Sequence, residues 1–424
     1  MIRPQHRIAA LVAVAVLAAP AGVASASAGH ADTRARWHGT WGAAPHRPVP
    51  GNDWDGPNWS LDGFAAQSLR QVVRISAGGS RVRIRLSNAY GTRPLRIAGA
   101  TIAKSGTGAA LRPGTLRTLR FGHRTTATVP AGAAAMSDPA SLPVAPLESL
   151  TVTLYFAEPT GPATFHQDGL TTTYRAAGDH RSDTAPAAFA GETSHSRYFL
   201  SGIDVAGDPR ARGTVVAFGD SITDGHGSTA GADDRYPDRL AERLAAASKR
   251  LGVVNAGISG NKLLTDSLCY GEKGLARFRR DVLAQPGVRT VIVFEGINDL
   301  GTGGFPDYFG CGASPKVTAQ RLIAGHRALI QTAHARGITV VGATITPMKG
   351  FQGYDTPEKE KVRDDVNHWI RTSGAYDAVA DLDRALADPD VPDALRPAFD
   401  SGDHLHPNDA GANALAAAID LATL

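Results

Sequence analysis

The chain has 424 residues, 42% of them hydrophobic and 20% charged, a composition ordinary for a soluble globular protein and long enough for two domains. Its formal net charge is +4, and without Arg3 and Arg7, which lie in a segment expected to be removed, 42 basic residues face 40 acidic ones. That near-neutrality excludes the strongly basic surface that a nucleic acid or an anionic membrane would select.

Arg3 and Arg7 precede an apolar run over 8–19, and the small residues at 24–28 offer a cleavage site, which together read as a secretory signal peptide over 1–28. The run is too short to span a bilayer, so the expectation is a secreted protein starting near Gly29, with no transmembrane anchor. In that oxidising setting the only two cysteines, Cys269 and Cys311, are expected to pair rather than to stay as buried thiols.

From Trp37 to about Tyr198 the pattern is all β. Residues 81–86 alternate strictly, and a run at 72–75 precedes them across Ala77-Gly-Gly-Ser80, which predicts a hairpin. Further strands are expected at 95–102, 116–121, 125–129, 150–156, 171–174 and 198–205. Short strands separated by Gly and Pro turns point to a sandwich or jelly roll over 29–206. Arg81, Arg83 and Arg85 read as the solvated face of a half-buried sheet rather than as a phosphate or polysaccharide site. Trp37, Trp41, Trp54 and Trp59 crowd before the first clear strand; sugar stacking is one reading of them, and burial against the sandwich is the favoured one. His166 is placed in a loop, as a surface group with some reach toward the cleft.

A linker at 207–213 leads into a region of alternating strands and helices, 214–424. Strands are expected at 215–218, 253–255, 290–294, 339–344 and 378–381, and helices at 236–249, 274–283, 317–336 and 357–372. A last helix runs over 408–421 with Asn408 as its N-cap. Such alternation predicts an α/β fold with a parallel sheet covered on both faces, its catalytic loops gathered along one edge.

The chemistry concentrates at the predicted strand ends. Gly219-Asp220-Ser221 follows the first apolar strand and sets a serine where open α/β sheets bind ligands, with Gly219 allowing a sharp turn. A serine hydroxyl needs a base and the base an orienting group. Asp403-His404-Leu405-His406 offers both, Asp403 and His406 being three apart in one tight loop. Gly260 and Asn298 each follow their own strand and can supply a backbone N–H and a side-chain amide to an oxyanion. Taken singly, these stretches are also what ordinary turns, Asx-turns and helix caps look like.

Four of them in this order resemble the GDSL family of hydrolases, also called SGNH. The first block reads Gly219-Asp220-Ser221-Ile222, with isoleucine where the family name has leucine; the others fall at Gly260, at Gly296-Ile297-Asn298-Asp299 and at Asp403-His404-Leu405-His406-Pro407. The resemblance covers the half from about Thr214 onward. It implies a flavodoxin-like three-layer fold and a Ser-His-Asp hydrolase without metal or organic cofactor. Ser221 is then the nucleophile, His406 the base and Asp403 its orienter, with Ser221, Gly260 and Asn298 as oxyanion donors. It further implies an ester substrate: O-acylated carbohydrate is favoured by analogy, with lipid esters next. A disulfide between Cys269 and Cys311 would tie together the loops carrying Gly260 and Asn298.

Two other readings compete. His404 and His406, with Asp220, Asp299 or Asp403, contain the donors of a metal site, although alternate residues of an extended loop point opposite ways. A carbohydrate-binding protein on an inactive hydrolase scaffold is the other. The segments 300–312 and 348–354 are rich in Gly and aromatic residues and are expected to shape an acyl pocket or a lid.

Overall fold

The computed structural model describes residues 36–51, 58–307 and 310–424. The expected signal peptide and Trp54 lie outside the described residues.

The second half is built on five parallel strands: β1 (Gly213–Gly219), β2 (Leu251–Gly257), β3 (Val288–Phe294), β4 (Thr339–Ala343) and β5 (Ala378–Ala380). Their spatial order is β2-β1-β3-β4-β5, the flavodoxin-like arrangement, with the chain reversing direction of growth at β1. Val215, Val216, Ala217 and Phe218 of β1 are all fully buried, as a central strand covered on both faces requires. Helices Tyr236–Ala246, Ala319–His334, Pro357–Thr372 and Asp409–Ala418 supply the cover. The last starts where expected, Asn408 accepting a hydrogen bond from the Gly411 N–H at 3.0 Å. The helix expected over 274–283 forms one α turn, Gly274–Phe278, and continues as a wider π turn over Arg279–Leu283. Short helices at Ser221–Asp224, Ile297–Gly301 and Leu382–Leu386 were not legible, each being too brief to show a period.

The first half folds as antiparallel sheets around one apolar core. One sheet orders His38–Gly42, Leu200–Ala206, Gly79–Ser87 and Ala134–Met136, with Ala140–Val144 also paired to Gly79–Ser87. The other orders Thr193–Ser194, Thr173–Ala177, Gln67–Arg74, Ser149–Phe156, Gly99–Lys104 and Arg117–Thr118. Two expectations fail here. The hairpin across 77–80 does not form, because Gln67–Arg74 and Gly79–Ser87 belong to different sheets. At the switch the Ile75 N–H still bonds Glu148 of one sheet, while the Ser76 N–H is captured by the Thr40 carbonyl of the other at 2.8 Å. The strand expected over 95–102 likewise splits at Ala98 into Leu95–Ile97, paired with Ala127–Val129, and Gly99–Lys104, paired with Ser149–Phe156.

Arg83 and Arg85 do not form a solvated face either. Asp204, fully buried on the neighbouring strand, takes Arg83 at 2.9 Å and Arg85 at 3.1 Å, so the two neutralise an interior carboxylate. Arg83 also lies 4.3 Å over the ring of Trp37. The described tryptophans of the early cluster support burial: Trp41 and Trp59 are interior, with Trp59 stacked on Tyr198 at 5.6 Å.

Both halves belong to one compact unit, Arg34–Leu424. Their junction lies along the edge strand β2. The Ser76 hydroxyl accepts from the Val253 N–H at 2.7 Å and reaches the Val253 carbonyl at 3.0 Å, so one serine caps both polar groups of an otherwise open edge. Among the described residues no helix is long and apolar enough to cross a membrane.

Candidate active site

β1 ends at Gly219, paired with Gly257 of β2 and Phe294 of β3, so the loops after these three strands leave the sheet side by side. Gly219 is needed for a reason other than the turn: a Cβ there would lie 2.1 Å from the Thr223 hydroxyl and 2.4 Å from the Phe294 carbonyl. Asp220 caps the following short helix, its carboxylate accepting from the Ile222 N–H at 3.1 Å, and Ser221 is the first helical residue.

Ser221 is only 5% exposed. Its hydroxyl lies 2.8 Å from His406 Nε2, and His406 Nδ1 lies 2.6 Å from Asp403 Oδ2. The partners fix the tautomer: Nδ1–H donates to the carboxylate, which leaves Nε2 to accept the serine O–H. Asp403 is in turn immobilised by the N–H groups of Leu405 and His406, at 2.9 and 2.8 Å. Burial works to raise the Asp403 carboxyl, but these donors and His406 overcome it and hold it well below the ordinary range. Burial is also the largest influence on His406 and pulls it below its ordinary value; Asp403 opposes this.

Gly260 and Asn298 come to the same edge. Gly260 sits at φ 72°, with the Tyr270 ring where a Cβ would be, 2.5 Å away, so both conformation and contact require glycine. Asn298 donates one amide hydrogen to the Asn261 carbonyl at 3.0 Å and accepts the Tyr354 hydroxyl at 2.8 Å, which fixes the amide plane and keeps its second N–H for another acceptor. Tyr354 and Met348 are buried, so the 348–354 segment packs against the site. Cys269 and Cys311 are disulfide-bonded, Cα atoms 5.1 Å apart, and join the loop after Gly260 to the loop after Asn298.

Beneath Ser221 lies a residue that no sequence motif marks. Arg277 is fully buried and donates to the Gly219 carbonyl (2.7 Å), the Ala256 carbonyl (2.7 Å), Asn261 Oδ1 (2.8 Å), Glu295 (3.0 Å) and Asp281 (3.3 Å). One guanidinium thus ties together the ends of β1, β2 and β3. Its only trace in the sequence is a charge amid the apolar residues of the Gly274–Phe278 turn. Around it, burial pushes Asp220 up to about 7, Asp299 up to about 6, and Glu295 well above its ordinary value despite Arg277. Asp299 is not a ligand or a base in this arrangement; it accepts from the Leu263 and Leu264 N–H groups at 2.6 and 2.9 Å and shapes the loop after Gly260.

The His-x-His pair does not converge. His404, at φ 70°, bonds Asp400 at 2.7 Å and faces away, its side chain 58% exposed. Donor atoms of His226, Asp403 and His406 do come within 4.8 Å of one another, but an ion there would compete with the bond between Asp403 and His406.

His166 is buried rather than on the surface. Its Nδ1 donates to the Ala44 carbonyl at 3.0 Å and its Nε2 lies 2.9 Å from Asp224, the last residue of the Ser221–Asp224 helix. Burial acts to lower His166, but Asp224 prevails and raises it. Two residues on, Asp168 accepts the Ser259 hydroxyl and lies 3.7 Å from His226, whose ring sits 4.4 Å from that of His406. No sequence signal in Thr164-Phe-His-Gln-Asp168 marks these contacts, which depend on how the halves dock.

Residues 217–414 match the model of the GDSL-like lipase/acylhydrolase family. Three solved structures resemble the chain: a GDSL-like lipase from Bacteroides thetaiotaomicron (20% identity, TM-score 0.35, 50% of this chain and 87% of that one), a lipase/acylhydrolase from Enterococcus faecalis (22%, 0.37, 48% and 92%) and an acetyl xylan esterase from Geobacillus stearothermophilus (23%, 0.38, 49% and 93%). No curated protein matches. The region 217–414 is a domain of the GDSL-like lipase/acylhydrolase family, and the chain that carries it is a carboxylester hydrolase.

Proposed function

We propose that the protein is a secreted serine esterase that works through Ser221, His406 and Asp403 and releases small acyl groups, acetyl above all, from O-acylated carbohydrate. The observation that carries the reading is the line of three groups at 2.8 and 2.6 Å, with Ser221 and His406 buried and in the protonation pattern that general-base catalysis needs.

Ser221 Oγ attacks the ester carbonyl carbon while His406 Nε2 takes its proton, and Asp403 stabilises the imidazolium. The oxyanion is received by the N–H groups of Ser221 and Gly260 and the second N–H of Asn298. As the C–O bond to the alcohol breaks, His406 returns the proton to the leaving oxygen. A water then attacks the acyl-enzyme, giving its proton to His406, and collapse of the second intermediate frees the acid and restores the Ser221 hydroxyl. No metal or organic cofactor takes part.

Secretion is supported by the pattern of residues 1–28 and by the disulfide, which fits an oxidising compartment. In this scheme 29–206 and 214–424, joined by 207–213, act together.

A fluorophosphonate probe should label wild type at Ser221 and leave Ser221→Ala untouched; absence of label on wild type sinks the reading in favour of a binding protein. Nitrophenyl esters from acetyl to long chain, run beside acetylated xylan and phosphatidylcholine, then assign the substrate. Preference for the long chains or the phospholipid would replace the carbohydrate esterase with a lipase, and activity abolished by a chelator would favour a metal.

A further inference from the structure

We infer that Asp168, from the first half of the chain, is a positioning residue for the catalytic base, acting on His406 through the ring of His226. The inference rests on the proposed roles of Ser221 and His406.

The geometry runs in one line. His406 has its nucleophile on one side and Asp403 at Nδ1, but its ring face needs a neighbour to stop the imidazole from swinging as it gains and loses a proton. His226 supplies that face at 4.4 Å, inclined by 57°. The Phe351 ring stands edge-on at 6.4 Å, farther off. His226 belongs to the glycine-flanked turn after the Ser221–Asp224 helix, and its side chain is 38% exposed. The group opposite its Nδ1 is the Asp168 carboxylate at 3.7 Å. Asp168 is 4% exposed and held by the Ser259 hydroxyl next to Gly260. Burial acts to raise its carboxyl, yet His226 and Ser259 keep it below the ordinary range, ionised at neutral pH.

A buried charge placed on a mobile loop would itself wander, but Asp168 is anchored. His166, two residues earlier, is fixed by Ala44 and Asp224, and the Leu170 carbonyl accepts from the Gly231 N–H at 2.7 Å. The 166–170 segment is therefore clamped to the 224–231 segment at two points, one on each side of Asp168, and Asp168 is aimed at the histidine that touches the base. The first half is then part of the catalytic apparatus, not an appendage to it.

The test uses the full chain with nitrophenyl acetate and the variants Asp168→Asn, His226→Ala and both together, each checked for its thermal midpoint. Each single variant is expected to lower kcat about tenfold, equivalent to about 1.4 kcal/mol, with KM within about twofold. If Asp168 works through His226, the double variant is no slower than His226→Ala alone. Folded single variants with wild-type kcat, or a double variant whose loss is the product of the two, overturn the inference. Should Asp168→Asn not fold, a His226→Ala variant with a wild-type thermal midpoint decides alone, and an unchanged kcat is then fatal. Fluorophosphonate labelling of Ser221 in wild type separates the two levels: a labelled, active wild type with indifferent variants rejects only the role of Asp168, whereas an unlabelled wild type rejects the serine mechanism itself.

Discussion

The floor of the site and its side wall are built differently. Under Ser221, Arg277 has no exposure and grips main-chain carbonyls at 2.7 Å, so the ends of β1 and β2 cannot move without breaking buried charge-assisted bonds. Beside His406, the contacts run between side chains, at 3.7 Å and 4.4 Å, on a half-exposed loop. In the proposed mechanism the nucleophile is thus held from below by main-chain bonds, and the base, fixed at Nδ1 by Asp403, has a side-chain ring as the neighbour of its face. Damage to the floor should appear as lost stability and damage to the wall as lost rate.

Arg277→Met gives the sharpest test of the floor and the largest expected effect. It strips donors from two carbonyls and leaves Glu295 buried without its partner, which should cost about 3 to 5 kcal/mol of unfolding free energy. Glu295 softens the loss by taking up a proton, its carboxyl being already raised. Urea denaturation at neutral pH measures this, and an unshifted midpoint would remove Arg277 from its place as the hub. Next comes the disulfide. Replacing Cys269 and Cys311 together by serine frees a 42-residue separation, worth at most about 4 kcal/mol in the chain-entropy model. The loops after Gly260 and Asn298 lose their tie, so activity should decline before the global melt; coincident loss of both would mean that the bridge serves the whole fold only.

Asn298→Ala belongs to the floor by position but to the chemistry by role. Its second N–H is expected to stabilise the oxyanion by about 3 kcal/mol, a fall in kcat of about a hundredfold or more, beside a stability loss of about 1 to 3 kcal/mol from the unpaired Asn261 carbonyl and Tyr354 hydroxyl. Wild-type turnover in that variant would leave Asn298 with a structural role only, as the partner of Tyr354 and Asn261.

The second half announces itself in sequence because a parallel sheet buried on both faces must be written in short apolar runs, and its loops emerge at one edge whatever the details. Ser221, Gly260, Asn298, Asp403 and His406 were legible for that reason: each follows a strand or precedes a helix in a known order. Arg277 was not, because a buried arginine looks like any other charge on an amphipathic turn until its acceptors are placed around it. In the first half the alternation at 81–86 located a strand but not its partner. Pairing there depends on Ser76 bonding Thr40 and Val253, contacts between residues 36 and 177 positions apart. The same is true of Asp168 and His166, whose targets lie in the other half.

Burial of His406 bears on the pH dependence of the proposed mechanism. Ordinary histidine would lose its base function below about pH 6.5. Burial, aided by the nearby His226, holds His406 lower than that, with Asp403 opposing. A lowered value keeps Nε2 unprotonated at more acidic pH, so the acid limb of kcat/KM should fall below 6.5. A limb at or above 6.5 would mean that Asp403 outweighs burial when the site is open to solvent.

The smallest effect is expected from the pair that most resembles the functional one. His404 bonds Asp400 at 2.7 Å, almost the distance between His406 and Asp403, and it stands two residues away in the same loop. It is nevertheless mostly exposed and directed away from Ser221, so its hydrogen bond competes with water and its proton has no reacting partner. His404→Ala should therefore change kcat by less than about twofold and stability by about 0.5 kcal/mol. A loss as deep as that of His406→Ala would show that the loop works as a unit and that position relative to the serine does not discriminate between its two histidines. If instead activity is retained while His406→Ala is dead, then what makes a base here is burial beside the nucleophile, since a carboxylate neighbour is common to both.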